Sequence, residues 1–171
     1  MNPYRFSSAP AALPIEWLSA LATVHTTSST SFVANIPAVD IDDLLVMCAY
    51  NESAQSIATP AGWSLSGSEI VVNNLRLKVL YKIATATSGP STVTLTTSGN
   101  SQITTAVNRI RAGSFHTATA PAFAYEQEGG TKVPNPPSLS PAWGSARTLW
   151  IASCYLTNGY GQNLNASAWP Y

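Results

Sequence analysis

Residues 75–84, LRLKVLYKIA, carry the clearest secondary-structure signal in the chain. One set of alternate positions is apolar and the other is mainly basic: Leu75, Leu77, Val79, Tyr81 and Ile83 against Arg76, Lys78, Leu80 and Lys82. Alternation with a period of two residues is typical of a β-strand with one apolar face. This stretch therefore predicts that the protein is built from β-strands.

Further strands are predicted on both sides of this stretch. They cover residues 17–25, which could be helical by propensity alone, then 30–36, 91–97 and 101–113. Turns are predicted at Asn73-Asn74, at TSGP (87–90) and at SGN (98–100), because Gly, Pro and Asn favour turn conformations. Short strands at near-regular spacing predict an all-β fold, an antiparallel β-sandwich of jelly-roll type.

Two apolar runs of strand length predict strands that are covered on both faces. The first is LLVMCAY at 44–50, and the second is TLWIASCYL at 148–156. Each contains one cysteine, Cys48 or Cys154. Buried free thiols are the expected state, with a disulfide between them as the alternative.

Two segments differ in composition from the predicted strands. Residues 1–14 contain Pro3, Pro10 and Pro14 and predict an extended N-terminal arm. Residues 113–147 are rich in Pro and Gly and predict a long connection across the sandwich. The predicted organisation is therefore an arm at 1–14 and a single β-sandwich domain at 15–171.

The composition limits the kinds of partner that the chain can attract by charge. Charged residues make up 9% of the chain, against roughly 25% in an average globular protein. Eight basic residues balance eight acidic ones, so nothing attracts the chain to nucleic acid or to an anionic membrane, and no apolar run is long enough to span a bilayer. A local group of basic residues is expected on solvated strand edges: Arg76, Lys78, Lys82, Arg109 and Arg111.

An internal echo predicts that the sheet has an open edge. DLLVMCAYN (43–51) resembles TLWIASCYL (148–156), and both are followed by an Asn-containing loop that ends in alanine, proline and aromatic residues. The first copy continues for further strands, whereas the second ends soon after its loop. We therefore expect an incomplete sandwich with an uncovered edge, which a neighbouring subunit completes, because proteins normally cover long edges.

The order of several short motifs resembles a group of tailed-bacteriophage virion proteins. The matching pieces are Asp43 to Val46, Thr59 to Ser64, Leu80 to Thr85, Thr92 to Thr96, Ala106 to Gly113 and residues 134–153. The resemblance implies a jelly roll or related β-sandwich located in the virion. It implies a capsid decoration, cement or head-fibre protein, or a tail component, with the major capsid protein or tail proteins as partners. Homo-oligomerisation is expected with it.

TPAGW at 59–63 can be interpreted as a corner or as an aromatic platform. In a corner, Pro60 fixes φ, Gly62 takes positive φ and Trp63 turns into the core. The aromatic residues expected to contact a partner or ligand are Trp143, Tyr160 and Trp169, because they lie in loops. They support the alternative function, a tail-associated module that binds a carbohydrate or receptor, with a surface glycan as ligand.

No constellation in the sequence predicts an enzyme. His25 and His116 lie outside any nucleophile motif, and the carboxylates of Asp40, Asp42 and Asp43 are expected to be solvated rather than bound to Ca²⁺. No phosphate-binding glycine loop and no Cys/His metal spacing occurs. We therefore predict no catalytic residue, no metal and no cofactor.

Overall fold

A computed structural model describes residues 16–72, 74–113, 115 and 121–122 of the chain. Six antiparallel strands form one sheet within these residues, and none of them is helical: β1 (Trp17–Ile36), β2 (Leu44–Asn51), β3 (Ser64–Leu65), β4 (Ile70–Val72), β5 (Leu75–Ile83) and β6 (Ser91–Ile110). The order across the sheet is β1-β6-β2-β5-β3, and β4 also pairs with β5. The prediction of an all-β antiparallel fold is confirmed.

The two longest strands, β1 and β6, form one continuous ribbon. The sequence predicts two strands, 17–25 and 30–36, where β1 is found, and two strands, 91–97 and 101–113, where β6 is found. The turn predicted at residues 98–100 is wrong, because these residues belong to β6. Ser29 pairs with Ser101 and Ser31 pairs with Thr96, so residues 97–100 stand opposite Thr30 alone. Extra residues in one strand of a pair bend and twist the ribbon without ending it.

The central strand β2 is buried on both of its faces, as the apolar run at 44–50 predicts. Leu45, Met47 and Ala49 point to one face, and Leu44, Val46 and Cys48 point to the other. All six are buried. The first face carries the larger core. This core also contains Phe32 and Leu95 from the far half of the ribbon, which consists of residues 31–36 of β1 and 91–96 of β6. Its other large members are Ile57, Trp63, Leu80, Ile103 and Val107.

The TPAGW segment is a corner, as one of its two interpretations predicts. The Trp63 N–H donates to the Pro60 carbonyl at 3.1 Å, and Gly62 has a φ of 76°. Positive φ at the third residue of a four-residue turn is typical of type II geometry. The Trp63 side chain is buried in the larger core, so it offers no aromatic platform to a ligand.

Other predictions fall outside the described residues. These are the arm at 1–14, most of the connection at 113–147, the apolar run at 148–156 and the state of Cys154. Cys48 is buried, as expected, and the alternative of a disulfide with Cys154 stays a prediction. The predicted end of a strand at Pro37 is confirmed, because β1 ends at Ile36.

Candidate functional site

The edge of the sheet formed by β3 and β4 is protected by its shape and by charge. Both strands are short, and residues 66–69 interrupt the edge between them. The Glu69 carboxylate accepts hydrogen bonds from the Ile57 N–H at 3.1 Å and from Arg76 Nη1 at 2.9 Å. Lys78 Nζ donates to the Ile57 carbonyl. Short strands and inward-pointing charges discourage pairing with another chain.

This charged group corrects an expectation from the sequence. Arg76, Lys78 and Arg109 are predicted on solvated edges, but their side chains are largely buried in ion pairs. Their strand faces are covered because the larger core lies on the same side of the sheet. Arg111 is half exposed, as expected, and pairs with Glu16 at 3.1 Å.

The far half of β1, residues 31–36, is protected by side chains from its near half, residues 17–25. The Thr23 hydroxyl accepts a hydrogen bond from the Asn35 N–H at 3.1 Å. His25 Nε2 lies 2.8 Å from the Val33 carbonyl oxygen, and the imidazole packs edge-on against the Phe32 ring with centroids 5.4 Å apart. These contacts occupy backbone groups that would otherwise face solvent on an edge strand.

Among the described residues, no side chain protects the near half of β1 in this way, and we call Ser19–His25 the open edge. Its ladder with β6 is uninterrupted, with irregularities only on either side, between Trp17 and Ser19 and between His25 and Ser29. Among the described strands, β6 is its only neighbour. It carries no Asp, Glu, Lys or Arg. An uncharged edge strand is a template for pairing with another chain.

The backbone of alternate residues faces outward along the open edge. In an antiparallel ladder, successive residues of a strand turn their N–H and C=O groups toward opposite neighbours. The Gln102 carbonyl accepts a hydrogen bond from the Glu52 N–H at 3.2 Å, so even-numbered residues in this part of β6 face β2. Those residues pair in register with Ala20, Ala22 and Val24, whose backbone groups therefore point away from β6.

Apolar side chains are exposed on and beside the open edge. Val24 is 63% exposed and Trp17 is 51% exposed, and both lie on the same face as Ala20 and Ala22, according to the ladder register. Trp17 Nε1 donates to Asn108 Oδ1 at 3.1 Å, which fixes the indole against β6. The result is a strip of exposed apolar surface with a fixed orientation.

A buried ion pair holds the loop that precedes β2 against β6. Arg109 Nε donates to Asp43 Oδ2 at 2.6 Å, and Arg109 Nη2 donates to Asp40 Oδ2 at 2.7 Å. The Asp43 carboxylate also accepts hydrogen bonds from the N–H groups of Asp40 and Ala112, both at 2.9 Å. Asp43 is thus buried and not solvated, contrary to the expectation for this loop.

The protonation of this pair follows from its surroundings. Burial alone raises the pKa of Asp43, but the two backbone N–H groups and the Arg109 guanidinium outweigh burial and hold the pKa below its ordinary value. Burial alone lowers the pKa of Arg109, but the carboxylates of Asp43 and Asp40 raise it above its ordinary value. Both groups are charged at neutral pH, and both oxygens of Asp43 are already occupied.

The ion pair borders an open depression of about 560 Å³. Its lining consists of Leu18, Asp40, Asp43, Arg109, Arg111 and Ala112. The charged groups in the lining already bond one another or Glu16, so the depression presents no uncommitted acid–base pair. Within the described ranges, no cluster of His, Cys, Asp or Glu could hold a metal ion.

The predicted contact residues and the open edge lie in different parts of the chain. Trp143, Tyr160 and Trp169 lie outside the described residues, so their contact with a partner or glycan stays a prediction. The sequence predicts an open edge but assigns it to the C-terminal copy of the echo. The signal for the observed edge is the stretch 17–39, which contains no Asp, Glu, Lys or Arg.

Comparisons of the chain with protein-family models, with curated proteins and with solved structures find no match. In the part of the chain that the structure describes, no helix is long and apolar enough to cross a membrane.

Proposed function

We propose that this chain is a non-enzymatic structural protein of a tailed-bacteriophage virion, with a capsid decoration, cement or head-fibre role. The observation that carries the proposal is the open edge, Ser19–His25, an uncharged strand segment with exposed apolar neighbours. Such an edge provides backbone hydrogen bonds and apolar burial for assembly with other subunits. The motif resemblance supplies the virion context.

A sandwich of jelly-roll type is the finer fold that we propose for the domain. Its support is the bend of the β1–β6 ribbon, which brings Phe32 and Leu95 from one half into the same core as Met47 and Val107. In sandwich folds, a strand passes from one layer to the other through a bend or bulge of this kind.

The composition fits a protein that assembles with other subunits and does not catalyse a reaction. Only 9% of its residues are charged, so most of its polar side chains carry hydroxyl or amide groups. An interface built from such groups and from apolar side chains has few charges to desolvate, which lowers the cost of burial. Near the end of β6, the Arg109 side chain forms an ion pair with Asp43 inside the chain.

The virion role is tested on purified particles. Mass spectrometry of gradient-purified phage, together with immunogold electron microscopy, should detect the chain as a component at regular positions on the head. Its absence from purified particles that retain their other structural proteins would contradict the proposal. Regular labelling of the tail would replace the head role with a tail role.

A further inference from the structure

We infer that the open edge pairs with the same segment of a second copy of this chain, antiparallel, across a two-fold axis that passes through Ala22. This inference rests on the proposed assembly role and names both the partner and the register.

The first argument is the symmetry of the open edge. The uninterrupted ladder runs from Ser19 to His25, and its central residue is Ala22. Ala22 is also one of the residues whose backbone faces outward, and the other two, Ala20 and Val24, lie at equal distances on either side. A two-fold axis through the centre therefore pairs Ala20 with Val24 of the second copy, and Ala22 with its own equivalent.

The second argument is hydrogen bonding. Pairs of residues whose backbone groups face each other in an antiparallel ladder exchange two hydrogen bonds each, so the three pairs of this register form about six. The register uses every outward-facing group between Ser19 and His25. A shift by one residue would place an outward-facing residue opposite an inward-facing one and lose these bonds.

The third argument concerns the side chains that become neighbours. Like charges directly opposite each other destabilise a strand pair, and the open edge contains no such charges. On one face, the exposed Ala20, Ala22 and Val24 of both copies meet, which joins two apolar strips into one. On the other face, Leu21 lies beside Thr23 of the second copy.

The fourth argument limits the alternatives. Irregularities in the β1–β6 ladder bound the segment on both sides, and Thr23 and His25 occupy the backbone of the far half. Only about 24 Å of strand, seven residues at about 3.4 Å each, is therefore available for pairing. A strand from a different protein has no reason to match the centre of this segment, whereas a two-fold axis through Ala22 pairs all three outward-facing residues, Ala20, Ala22 and Val24, with one another.

The first test uses two valines of β1 as a matched pair. Val24, in the open edge, is 63% exposed, and Val33, in the protected half, is 46% exposed. Light scattering after size exclusion should give twice the 18.0 kDa chain mass for the unchanged protein and for Val33→Lys, and the monomer mass for Val24→Lys. A monomeric unchanged protein, or equal disruption by both variants, would overturn the inference.

The second test fixes the register. The Cα atoms of a residue pair that exchanges hydrogen bonds lie about 5.5 Å apart, which suits a disulfide. In full-length protein with Cys154→Ser, Ala22→Cys should form a covalent dimer under mild oxidation, and Val33→Cys should remain monomeric on a non-reducing gel. Cross-linking of Ala22→Cys no greater than that of Val33→Cys would overturn the register.

These tests separate the inference from the proposed function. A chain that is present in particles but does not form this dimer contradicts only the inference. A chain that forms the dimer but is absent from particles contradicts only the virion role.

Discussion

The hydroxyl of Thr23 lies 3.1 Å from the backbone nitrogen of Asn35, although both residues belong to the same strand. Twelve residues of straight strand would span about 40 Å. The contact therefore requires a sharp bend in β1, and the irregular pairing between His25 and Ser31 supplies it. One strand thus provides both an open edge and the side chains that protect the rest of it.

Thr23→Val removes the hydroxyl that accepts the Asn35 N–H while keeping a β-branched side chain. We expect a loss of about 1 kcal/mol in the free energy of unfolding, because one hydrogen bond is lost. We also expect faster aggregation, because the far half of the edge becomes available. Urea denaturation and turbidity measure the two effects. Thr26→Val, at an exposed position of the same strand, is the control and should change neither.

Asp43→Asn breaks the buried ion pair with Arg109. We expect destabilisation of about 3 kcal/mol, because the largely buried Arg109 guanidinium then keeps only Asp40, whose side chain is exposed, as an ion-pair partner. Asp42→Asn is the matched control, since Asp42 is exposed and has a φ of 67°, which Asn tolerates well. Urea denaturation at neutral pH measures both variants, and equal stability of the two would show that the pair is not needed.

The same carboxylate predicts how stability depends on pH. The pKa of Asp43 is lower in the folded chain than its ordinary value of 3.8, so the unfolded chain takes up the proton first as the pH falls. The stabilisation is complete above the ordinary value and is lost as the pH falls through the lower, folded value. Urea denaturation from about pH 6 to about pH 3 should show the beginning of this loss, and Asp43→Asn should lack that part of the pH dependence.

The local parts of the fold could be predicted from the sequence, since they depend on local patterns. A few adjacent residues are enough to predict each of three features: the strand at 75–84, the buried strand at 44–50 and the TPAGW corner. The turn prediction at 98–100 failed because Gly and Asn also suit a bulge, and only pairing with β1 distinguishes the two. The bend of β1 depends on contacts that no local pattern contains.

The charged contacts could not be predicted for a related reason. Asp43 and Arg109 are 66 residues apart, and each resembles a surface residue in its own segment. Burial of Arg76 and Lys78 depends on what covers the second face of β5, which the alternation at 75–84 leaves open. The uncharged stretch 17–39 is a sequence signal for the open edge. That this stretch lies at the end of the sheet follows only from the strand order, which the sequence does not give.

Thr105→Val should stabilise the protein. Thr105 is 1% exposed, and its hydroxyl oxygen has no hydrogen-bond partner among the described residues. Replacing an unsatisfied buried hydroxyl with a methyl group removes its desolvation cost, and we expect a gain of about 1 kcal/mol. Thr104→Val, one residue earlier and partly exposed, is the control and should be nearly neutral. Thermal and urea unfolding measure both, and a loss of stability in Thr105→Val would show that the hydroxyl is satisfied.

Gly62→Ala tests the corner at TPAGW. A Cβ atom at Gly62 would meet only Lys82, at 3.8 Å or more, so there is room for it. The backbone φ of 76° is nevertheless unfavourable for alanine, and we expect destabilisation of about 1 kcal/mol. Gly89→Ala is the control, because Gly89 has no neighbour within 4 Å of the added atom and no positive φ. Equal unfolding free energies for the two variants would contradict the positive φ at Gly62 and with it the turn geometry of the corner.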